Sequence, residues 1–239
     1  MKTAEMKVEL LDHMGSDLSV VNAARVSFDK TSEYDIIGIK EHYNEDGDVD
    51  YRETIKQMKE EDVKLLRYLA KHNHWSPFSH AFASFRIKAP IFVARQLVKH
   101  QVGLAWNEVS RRYVDSEPEF YVPKNLRKRS ESAKQGSLEE PIAGDDFWIG
   151  ELMLQTRHSL SMYNELLDAD VCPEQARMVL PQNTMTEWIW SGSLYAFARV
   201  CNLRLDSHAQ KETQEVAQAI DKHMKVCYPE SWKVLVKGE

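Results

Sequence analysis

The sequence predicts a single domain of the α+β class, and three observations lead to that prediction. Residues 81–88 alternate apolar and polar side chains with a period of two, which is typical of a half-buried strand. Residues 53–71 instead repeat apolar side chains at helical spacing, and further helices are expected toward the C terminus. No internal repeat or linker divides the 239 residues, so we expect one domain over residues 1–239.

The other elements follow from start and stop signals along the chain. Residues 7–28 predict a strand and then a helix that Ser16 or Asp17 caps. Residues 44–48 predict a solvated turn rather than a calcium loop, because the spacing lacks the terminal glutamate. We further expect a loop over 72–80, a strand end at Pro90 and a helix over 91–101. A connector through Trp106 and a surface loop over 124–150 should follow. The remaining helices are expected near 151–168, from Pro173, near 186–202 and over 207–225.

Composition excludes several classes of protein. Hydrophobic residues make up 43% of the chain, which is enough for a packed core. With 31 Lys and Arg against 37 Asp and Glu, the net charge of −6 disfavours a general nucleic-acid coat. No apolar run approaches the ~20 residues of a membrane span, and no signal peptide opens the chain. Three widely spaced cysteines argue against a disulfide framework, so we expect a soluble cytoplasmic protein.

Phosphate-binding glycine motifs are absent from this sequence. There is no Gly-x-Gly-x-x-Gly, no Gly-x-x-x-x-Gly-Lys, no His-Glu-x-x-His and no Cys-x-x-Cys, and glycine occurs only 9 times. A bound dinucleotide would therefore have its phosphates held by side chains. His72, His74 and His80 suggest a metal site, but the stretch lacks nearby Cys or carboxylate partners. These histidines can equally bond backbone or a ligand, and we expect no metal.

Residues 95–112 concentrate positive charge in an acidic chain. Arg95, Lys99, Arg111 and Arg112 lie in this segment with one acid, Glu108. Arginine forks match phosphate oxygens in pairs, and the nearby aromatic residues suit a planar ring. An anionic ligand with a planar ring is one interpretation, and a set of surface salt bridges is the other.

A second cluster runs over residues 202–210. Asp206 or Ser207 is a natural N-cap for the helix expected next. Such a helix start would present backbone N–H groups to an anion, and Arg204 could point into the same space. The alternative is an ordinary cap beside a solvated arginine.

Five ordered blocks resemble the flavin-dependent thymidylate synthases (ThyX). They cover most of the chain between residues 14 and 210. The blocks are His72-x-His74-x-Ser76-Pro77-Phe78-x-His80, Lys88-Ala89-Pro90-Ile91-Phe92-Val93-Ala94-Arg95-Gln96, Asn107-Glu108-x-Ser110-x-Arg112-Tyr113, Ala176-Arg177-x-Val179-Leu180-Pro181 and Asn202-Leu203-Arg204-x-Asp206-Ser207-His208-Ala209-Gln210. Met14-Gly15-x-Asp17-Leu18 and Ala23-Ala24-Arg25-Val26-Ser27-Phe28 are also similar to that family.

This resemblance implies a fold, an assembly and a reaction. The fold would be a central, mostly antiparallel sheet flanked by helices, and the assembly a homotetramer whose active sites form between subunits. The reaction would convert dUMP to dTMP with methylenetetrahydrofolate as the one-carbon donor and FAD, reduced by NADPH, as the source of hydride. The alternatives are a related protein with weakened flavin binding or a nucleotide-binding module without full activity.

The resemblance also implies roles for single residues. Arg204 matches the arginine that activates the uracil ring. The nucleotide-contacting positions are Gln96, Leu97, Val98, Lys99, Glu108, Val109, Ser110, Arg111, Arg112, Arg177 and Arg204. The flavin-contacting positions are Ser76, Lys99, His100, Gln101, Glu108, Ser193, Arg199 and His208.

The sequence differs from the family at the short signature motif that the family's relatives share. The family's Arg-His-Arg is Lys99-His100-Gln101 here, with one extra residue before Ser110. These replacements remove two bidentate forks and one positive charge. Arg199 stands where relatives commonly carry Asn, and we hypothesise that its guanidinium replaces the charge lost at position 101.

The reaction chemistry favours electrostatic activation over a covalent step. No cysteine lies in the basic clusters, and Cys201 falls on the apolar pattern of a core residue. Arg204 against the uracil N3/O4 edge would stabilise the negative charge that develops there. Ser110 has no flanking His–Asp pair, which favours a phosphate contact over nucleophilic attack. We expect Arg95, Arg177 and Arg204 to converge across neighbouring copies of the chain.

Two other classes of function compete with this interpretation. A nucleic-acid-binding module would use the basic stretch 124–129, but the net acidity and the lack of exposed aromatic stripes oppose it. A metal-dependent hydrolase would use the histidines of 72–80, which lack the expected ligand spacing.

Overall fold

Strands and short helices alternate along the first half of the chain, and helices dominate the second half. The computed structural model describes residues 1–114, 116–130 and 136–236. Within these ranges the strands are β1 (Lys2–Thr3), β2 (Lys7–Met14), β3 (Asp35–Tyr43), β4 (Val49–Gln57), β5 (Phe82–Pro90), β6 (Leu104–Glu108), β7 (Glu119–Phe120), β8 (Arg127–Arg129), β9 (Ser137–Pro141) and β10 (Met185–Ser193). The helices are α1 (Asp17–Arg25), α2 (Glu60–Lys71), α3 (Ile91–Leu97), α4 (Asp145–Asp168), α5 (Pro173–Ala176), α6 (Leu194–Arg204), α7 (Lys211–Cys227) and α8 (Pro229–Leu235).

The central sheet contains four strands in the order β2–β5–β10–β6, and each neighbouring pair is antiparallel. Trp188 in β10 pairs with Ile87 on one side and with Glu108 on the other. β5 follows its predicted alternation, since Phe85 and Ile87 are buried while Arg86 between them is exposed. The antiparallel sheet with flanking helices that the resemblance implies is confirmed.

The main core lies between this sheet and the helices that pack on it. Phe197 of α6 packs edge-on against Phe85 at 5.1 Å and against Trp190 at 5.4 Å between ring centroids. Tyr228, between α7 and α8, is buried, and its hydroxyl lies 2.7 Å from the backbone oxygen of Phe82 and 3.0 Å from that of Met14, which share its one proton. Because Met14 and Phe82 pair in β2 and β5, this tyrosine fastens the C-terminal helices to the sheet.

Two of the predicted helices include residues that form strands in the structure. The helix expected near 186–202 is β10 followed by α6, because Trp188 and Trp190 are buried in the middle of the sheet. A short apolar run fits a buried strand and a buried helix equally well, so periodicity could not separate them. The helix expected over 53–71 begins at Glu60, since the preceding residues form β4.

The strand end predicted at Pro90 is confirmed, but the next segment differs from the prediction. The helix expected over 91–101 ends at Leu97. The connector expected through Trp106 is β6, where the Trp106 ring stacks on Trp188 at 4.3 Å. This edge strand proves to organise the candidate site.

Residues 124–150 contain more regular structure than the expected surface loop. They hold β8, β9 and the start of α4, and the backbone N–H of Leu126 donates to Asp145 at 2.7 Å. Residues 131–135 of this stretch lie outside the described residues. β9 is exposed along its whole length, so this hairpin lies on the surface.

The sequence did not predict the hairpin of β3 and β4. Its turn at residues 44–48 is the predicted one, but both strands are almost wholly exposed. The hairpin is anchored just before β3, where the Ser32 hydroxyl donates to buried Asp62 at 2.5 Å and its N–H donates to Asn22 at 2.7 Å. Arg25 also donates to Asp62, so helices α1 and α2 hold the base of the hairpin together.

Candidate active site

Strand β6 divides the predicted site residues into two groups. The signature residues 99–101 precede the strand, and residues 108–112 end or follow it. At a rise of about 3.3 Å per residue, the two ends of this five-residue strand lie about 13 Å apart. We call His100, Arg199 and Arg204 the upstream cluster, and Glu108, Arg111 and Arg177 the downstream cluster.

The upstream cluster places a guanidinium against a neutral imidazole. Arg204, the last residue of α6, donates from Nε to Nε2 of His100 at 3.0 Å. Burial, then Arg204 and Arg199, lower the pKa of His100 below its ordinary value of 6.5. A neutral His100 can accept this hydrogen bond at Nε2. Among the described residues neither Nη group of Arg204 has a hydrogen-bond partner, so both remain for a ligand.

A chain of polar side chains holds Gln96 beside α7. The Gln96 amide donates to the side-chain oxygen of Gln210, and Gln210 donates to Glu212 at 3.0 Å. Glu212 is buried, and its second oxygen accepts from Arg127 at 2.8 Å. The hydroxyl of Thr213 donates to the other end of the Gln96 amide at 3.4 Å. The orientation of Gln96 is thereby fixed, although sequence analysis gave Gln210 and Glu212 no role of their own.

The downstream cluster lines a cavity of about 300 Å³ that also includes Val109. The Glu108 carboxylate accepts from the Thr186 hydroxyl at 2.7 Å and from the Trp106 indole N–H at 3.0 Å. These two donors lie on the sheet, so they hold the carboxylate in place at the end of β6.

The downstream arginines donate hydrogen bonds to backbone carbonyl oxygens. Arg111 donates to the carbonyl of Ser116 at 2.5 Å, and Arg177 donates to the carbonyl of Glu174 at 3.3 Å. Neither bond neutralises the positive charge of the guanidinium, so these arginines can still attract an anion.

Ser110 lies next to this cluster and faces an arginine. Its Oγ accepts from Arg112 Nε at 3.1 Å, and the Arg112 guanidinium lies 4.9 Å from the centre of the Tyr113 ring. A hydroxyl beside a guanidinium suits a phosphate contact better than nucleophilic attack, which requires a base.

Other predicted site residues occupy different environments. Leu97 is fully buried, so its side chain belongs to the core, and the neighbouring Val98 is half-buried. Lys99, Gln101 and Ser76 are exposed. Ser193 is buried, and its hydroxyl caps α6 by accepting from the N–H of Ala196 at 3.2 Å. Ser193 therefore has a structural role in addition to any contact with a flavin.

The prediction that Asp206 or Ser207 caps the next helix is wrong. α7 begins at Lys211 with Gln210 at the N-cap position. Asp206 instead accepts from the N–H of His208 at 2.8 Å and lies 3.0 Å from its ring nitrogen, closing a local turn. His208 is exposed at this turn.

Cys201 is a core residue, as predicted. Its thiol is fully buried and contacts the carbonyl oxygen of Ala217 at 3.7 Å. Burial raises the pKa of the Cys201 thiol, so the thiol stays protonated near neutral pH. A covalent step through this sulfur is disfavoured.

The alternative sites receive less support. Within the described ranges no group of three or more His, Cys, Asp or Glu side chains could hold a metal ion. In the basic stretch 124–129, Arg127 pairs with Glu212 and Lys128 with Glu140 at 2.6 Å, which reduces the charge available to nucleic acid. No described helix combines the length and apolarity that crossing a bilayer requires.

The family model of the thymidylate synthase complementing proteins matches residues 9–230. The flavin-dependent thymidylate synthase of Thermosipho africanus is 35% identical over 235 residues, covering 96% of this chain and 90% of the relative. That of Thermus thermophilus is 36% identical over 225 residues, covering 94% and 73%. The crystal structure of the UMP/dUMP methylase PolB from Streptomyces cacaoi, bound with 5-Br dUMP, matches with a TM-score of 0.78 at 28% identity, covering 98% of this chain and 96% of that chain. The chain belongs to the thymidylate synthase complementing protein family.

Proposed function

We propose that this chain is a flavin-dependent thymidylate synthase. It converts dUMP to dTMP with methylenetetrahydrofolate as the one-carbon donor, FAD as the hydride carrier and NADPH as the reductant. Its family membership supports this reaction, and the contact between Arg204 and His100 is the observation that carries it. The reaction needs a fixed cation at the pyrimidine ring, and the upstream cluster supplies one without a cysteine nucleophile.

Arg204 is the proposed catalytic residue. Because His100 occupies its Nε, the guanidinium plane is held in one orientation and presents its two Nη groups to the N3/O4 edge of uracil. Donors aimed in advance at developing charge stabilise a transition state more than a ground state. Gln96, fixed by Gln210 and Thr213, is proposed to contact the same nucleotide.

The downstream cluster is proposed to bind the phosphate of dUMP. Arg111 and Arg177 keep their charge, and Ser110 with Arg112 adds a hydroxyl and a further guanidinium. Since β6 separates this cluster from Arg204 in one chain, a complete site would take the two clusters from neighbouring subunits of a homotetramer. Exposed apolar side chains on α4, among them Phe147, Leu154 and Met162, support such an assembly.

The upstream residues fit a dinucleotide whose phosphates are held by side chains. Arg199 and Arg204 provide charge around half-buried His100, and no glycine-rich loop is required. FAD, when bound and reduced, supplies the hydride that completes the methyl group. The remaining proposed flavin contacts are Ser76, Lys99, Gln101, Glu108, Ser193 and His208. We propose a cytoplasmic enzyme whose partners are these small molecules and its own copies, without nucleic acid or membrane.

The test is release of dTMP from dUMP, methylenetetrahydrofolate and NADPH, with and without added FAD. We expect dTMP only when FAD is present. Activity that appears only at high FAD concentration would favour the alternative of weakened flavin binding, for which the exposed Lys99 and Gln101 are the relevant observation. Absence of dTMP at saturating FAD would contradict the proposed function.

A further inference from the structure

A buried carboxylate lies behind Gln96, and none of the roles proposed above uses it. Glu212 is only 5% exposed and lies in the first turn of α7. One of its oxygens accepts from Arg127 at 2.8 Å, and the other accepts from Gln210 at 3.0 Å. Replacing a buried ion pair by apolar side chains is often neutral for stability, so this pair points to a role other than stability.

Glu212 sets the direction of the hydrogen bonds that reach Gln96. A carboxylate only accepts hydrogen bonds, whereas an amide side chain donates at one end and accepts at the other. Because Glu212 accepts, Gln210 turns its NH2 group toward it, and the Gln210 oxygen then faces Gln96. Gln96 in turn offers its NH2 group to that oxygen, which leaves its own oxygen facing the Thr213 hydroxyl. The orientation of both amides therefore follows from the carboxylate.

This direction decides what Gln96 can offer to a ligand. One hydrogen of its NH2 group is donated to Gln210, and among the residues that the structure describes the second hydrogen has no acceptor. dUMP carries acceptor oxygens on its pyrimidine ring and on its phosphate, and a free N–H suits such an oxygen. A flipped amide would present its own oxygen there and would form no hydrogen bond with another acceptor.

Strands β8 and β9 brace Glu212 from the surface of the molecule. Arg127 of β8, which donates to Glu212, also donates from Nε to the hydroxyl of Ser137 in β9 at 2.7 Å. Lys211, the neighbour of Glu212 in the chain, donates to Glu139 of β9 at 2.6 Å. Both strands thus contact the first turn of α7, and the carboxylate is held in one orientation.

We propose that Glu212 is a positioning residue for nucleotide binding, which acts through Gln210 to make Gln96 a hydrogen-bond donor toward dUMP. The effect is indirect, because Gln210 separates the carboxylate from Gln96. This inference rests on the proposed function, since it presumes that Gln96 contacts dUMP. It adds Glu212 and Gln210 to the residues on which nucleotide affinity depends.

The test measures the Kd of dUMP by calorimetry, and kcat and KM by steady-state kinetics. Glu212→Gln keeps the shape of the side chain, but an amide can donate or accept, so it no longer sets the direction of the bonds. We expect Kd and KM for dUMP to rise about tenfold, the scale of one lost hydrogen bond, while kcat stays within about twofold. Glu215→Gln is the matched control, because it removes the same charge from an exposed carboxylate of the same helix, and it should bind dUMP like the wild-type chain.

Two further variants decide the question if Glu212→Gln folds poorly. Gln210→Met interrupts the chain of amides while the pair of Glu212 and Arg127 stays in place, and it should raise the Kd of dUMP to the same extent. In a Gln96→Ala background, Gln210→Met and Glu212→Gln should cause no further loss of affinity, because each change removes the same contact with the nucleotide.

The inference is overturned if Glu212→Gln and Gln210→Met bind dUMP as tightly as the wild-type chain, or if their losses add to that of Gln96→Ala. It is equally overturned if Glu215→Gln loses as much affinity as Glu212→Gln, since the effect would then be one of net charge. The dTMP assay on the wild-type chain separates the two levels. Wild-type activity with unchanged dUMP binding by the variants removes only the role of Glu212, whereas no wild-type activity at saturating FAD removes the proposed function.

Discussion

The two ends of strand β6 are built differently. At the upstream end, a guanidinium is clamped to a half-buried imidazole at the end of helix α6. At the downstream end, Arg111 and Arg177 donate to the backbone carbonyls of Ser116 and Glu174, while side chains of the sheet hold the Glu108 carboxylate. Fixed geometry suits stabilisation of a transition state, whereas guanidinium groups that keep their charge suit recognition of a phosphate. The upstream end is therefore expected to set turnover, and the downstream end affinity.

The largest effect is expected from Arg204→Lys. Lysine keeps the charge but loses the planar contact and cannot be held through Nε by His100. We expect kcat to fall roughly 100-fold, the usual scale for removing one preorganised donor, while the Kd for dUMP changes much less. Steady-state kinetics and dUMP titration measure both quantities. Arg67→Lys, at an exposed arginine of α2, is the control, and wild-type turnover in Arg204→Lys would contradict the role.

Removing a downstream charge should affect binding instead. Arg177→Ala is expected to weaken dUMP about tenfold, the scale of one charge-assisted hydrogen bond, with kcat nearly unchanged. Added salt should weaken dUMP binding by the wild-type chain, and less steeply by this variant. Isothermal titration at several salt concentrations measures this. A binding constant that does not respond to salt would mean that these cations do not form the phosphate site.

Acid should loosen the upstream cluster. Protonation of His100 places a hydrogen on Nε2, which then cannot accept from Arg204. Because burial, Arg204 and Arg199 lower the pKa of His100 in the folded chain, the unfolded chain takes up this proton first as the pH falls. The stability that neutral His100 contributes is complete above pH 6.5 and is lost as the pH falls through the lower folded-state pKa.

Urea unfolding from neutral to mildly acidic pH measures this loss. The wild-type chain should lose more stability than His100→Asn, whose side chain does not titrate. Equal losses in both proteins would show that His100 titrates normally in the folded state.

The smallest effect is expected from Cys201→Ser. The thiol is buried in the core, and burial raises its pKa so that it remains protonated. Burying a hydroxyl there should cost about 1–2 kcal/mol of unfolding stability, while kcat should stay within about twofold, since no step uses the sulfur. Loss of activity in a folded Cys201→Ser protein would restore the covalent hypothesis.

Local signals predicted some elements and missed others for identifiable reasons. β5 and its end at Pro90 were predicted because one face of the strand is buried and proline stops it. β10 was mistaken for a helix because Ile189, which is exposed between buried Trp188 and buried Trp190, is itself apolar, so the sequence shows an apolar run without clear alternation. The β3–β4 hairpin was missed because neither strand has a buried face to create a pattern.

The candidate site shows the same division. The resemblance supplied Arg204 and His100, but their contact joins residues that are 104 positions apart, and no periodicity reports such a pairing. The hydrogen-bond partners of Gln96 could not be predicted for the same reason, because Gln210 is 114 positions away along the chain.

The central claim is that one active site takes its upstream cluster from one copy and its downstream cluster from another. The most direct test mixes two impaired variants, Arg204→Ala and Arg177→Ala, by co-expression with different tags, and purifies the mixed assembly. The assay uses dUMP far below its Kd, where Arg177→Ala alone should keep about a tenth of the wild-type activity. If the clusters come from different copies, about a quarter of the randomly mixed sites would regain both intact halves, and dTMP formation should return to that level. A mixed assembly no more active than the Arg177→Ala protein alone would contradict this arrangement and place both clusters in a site made by a single chain.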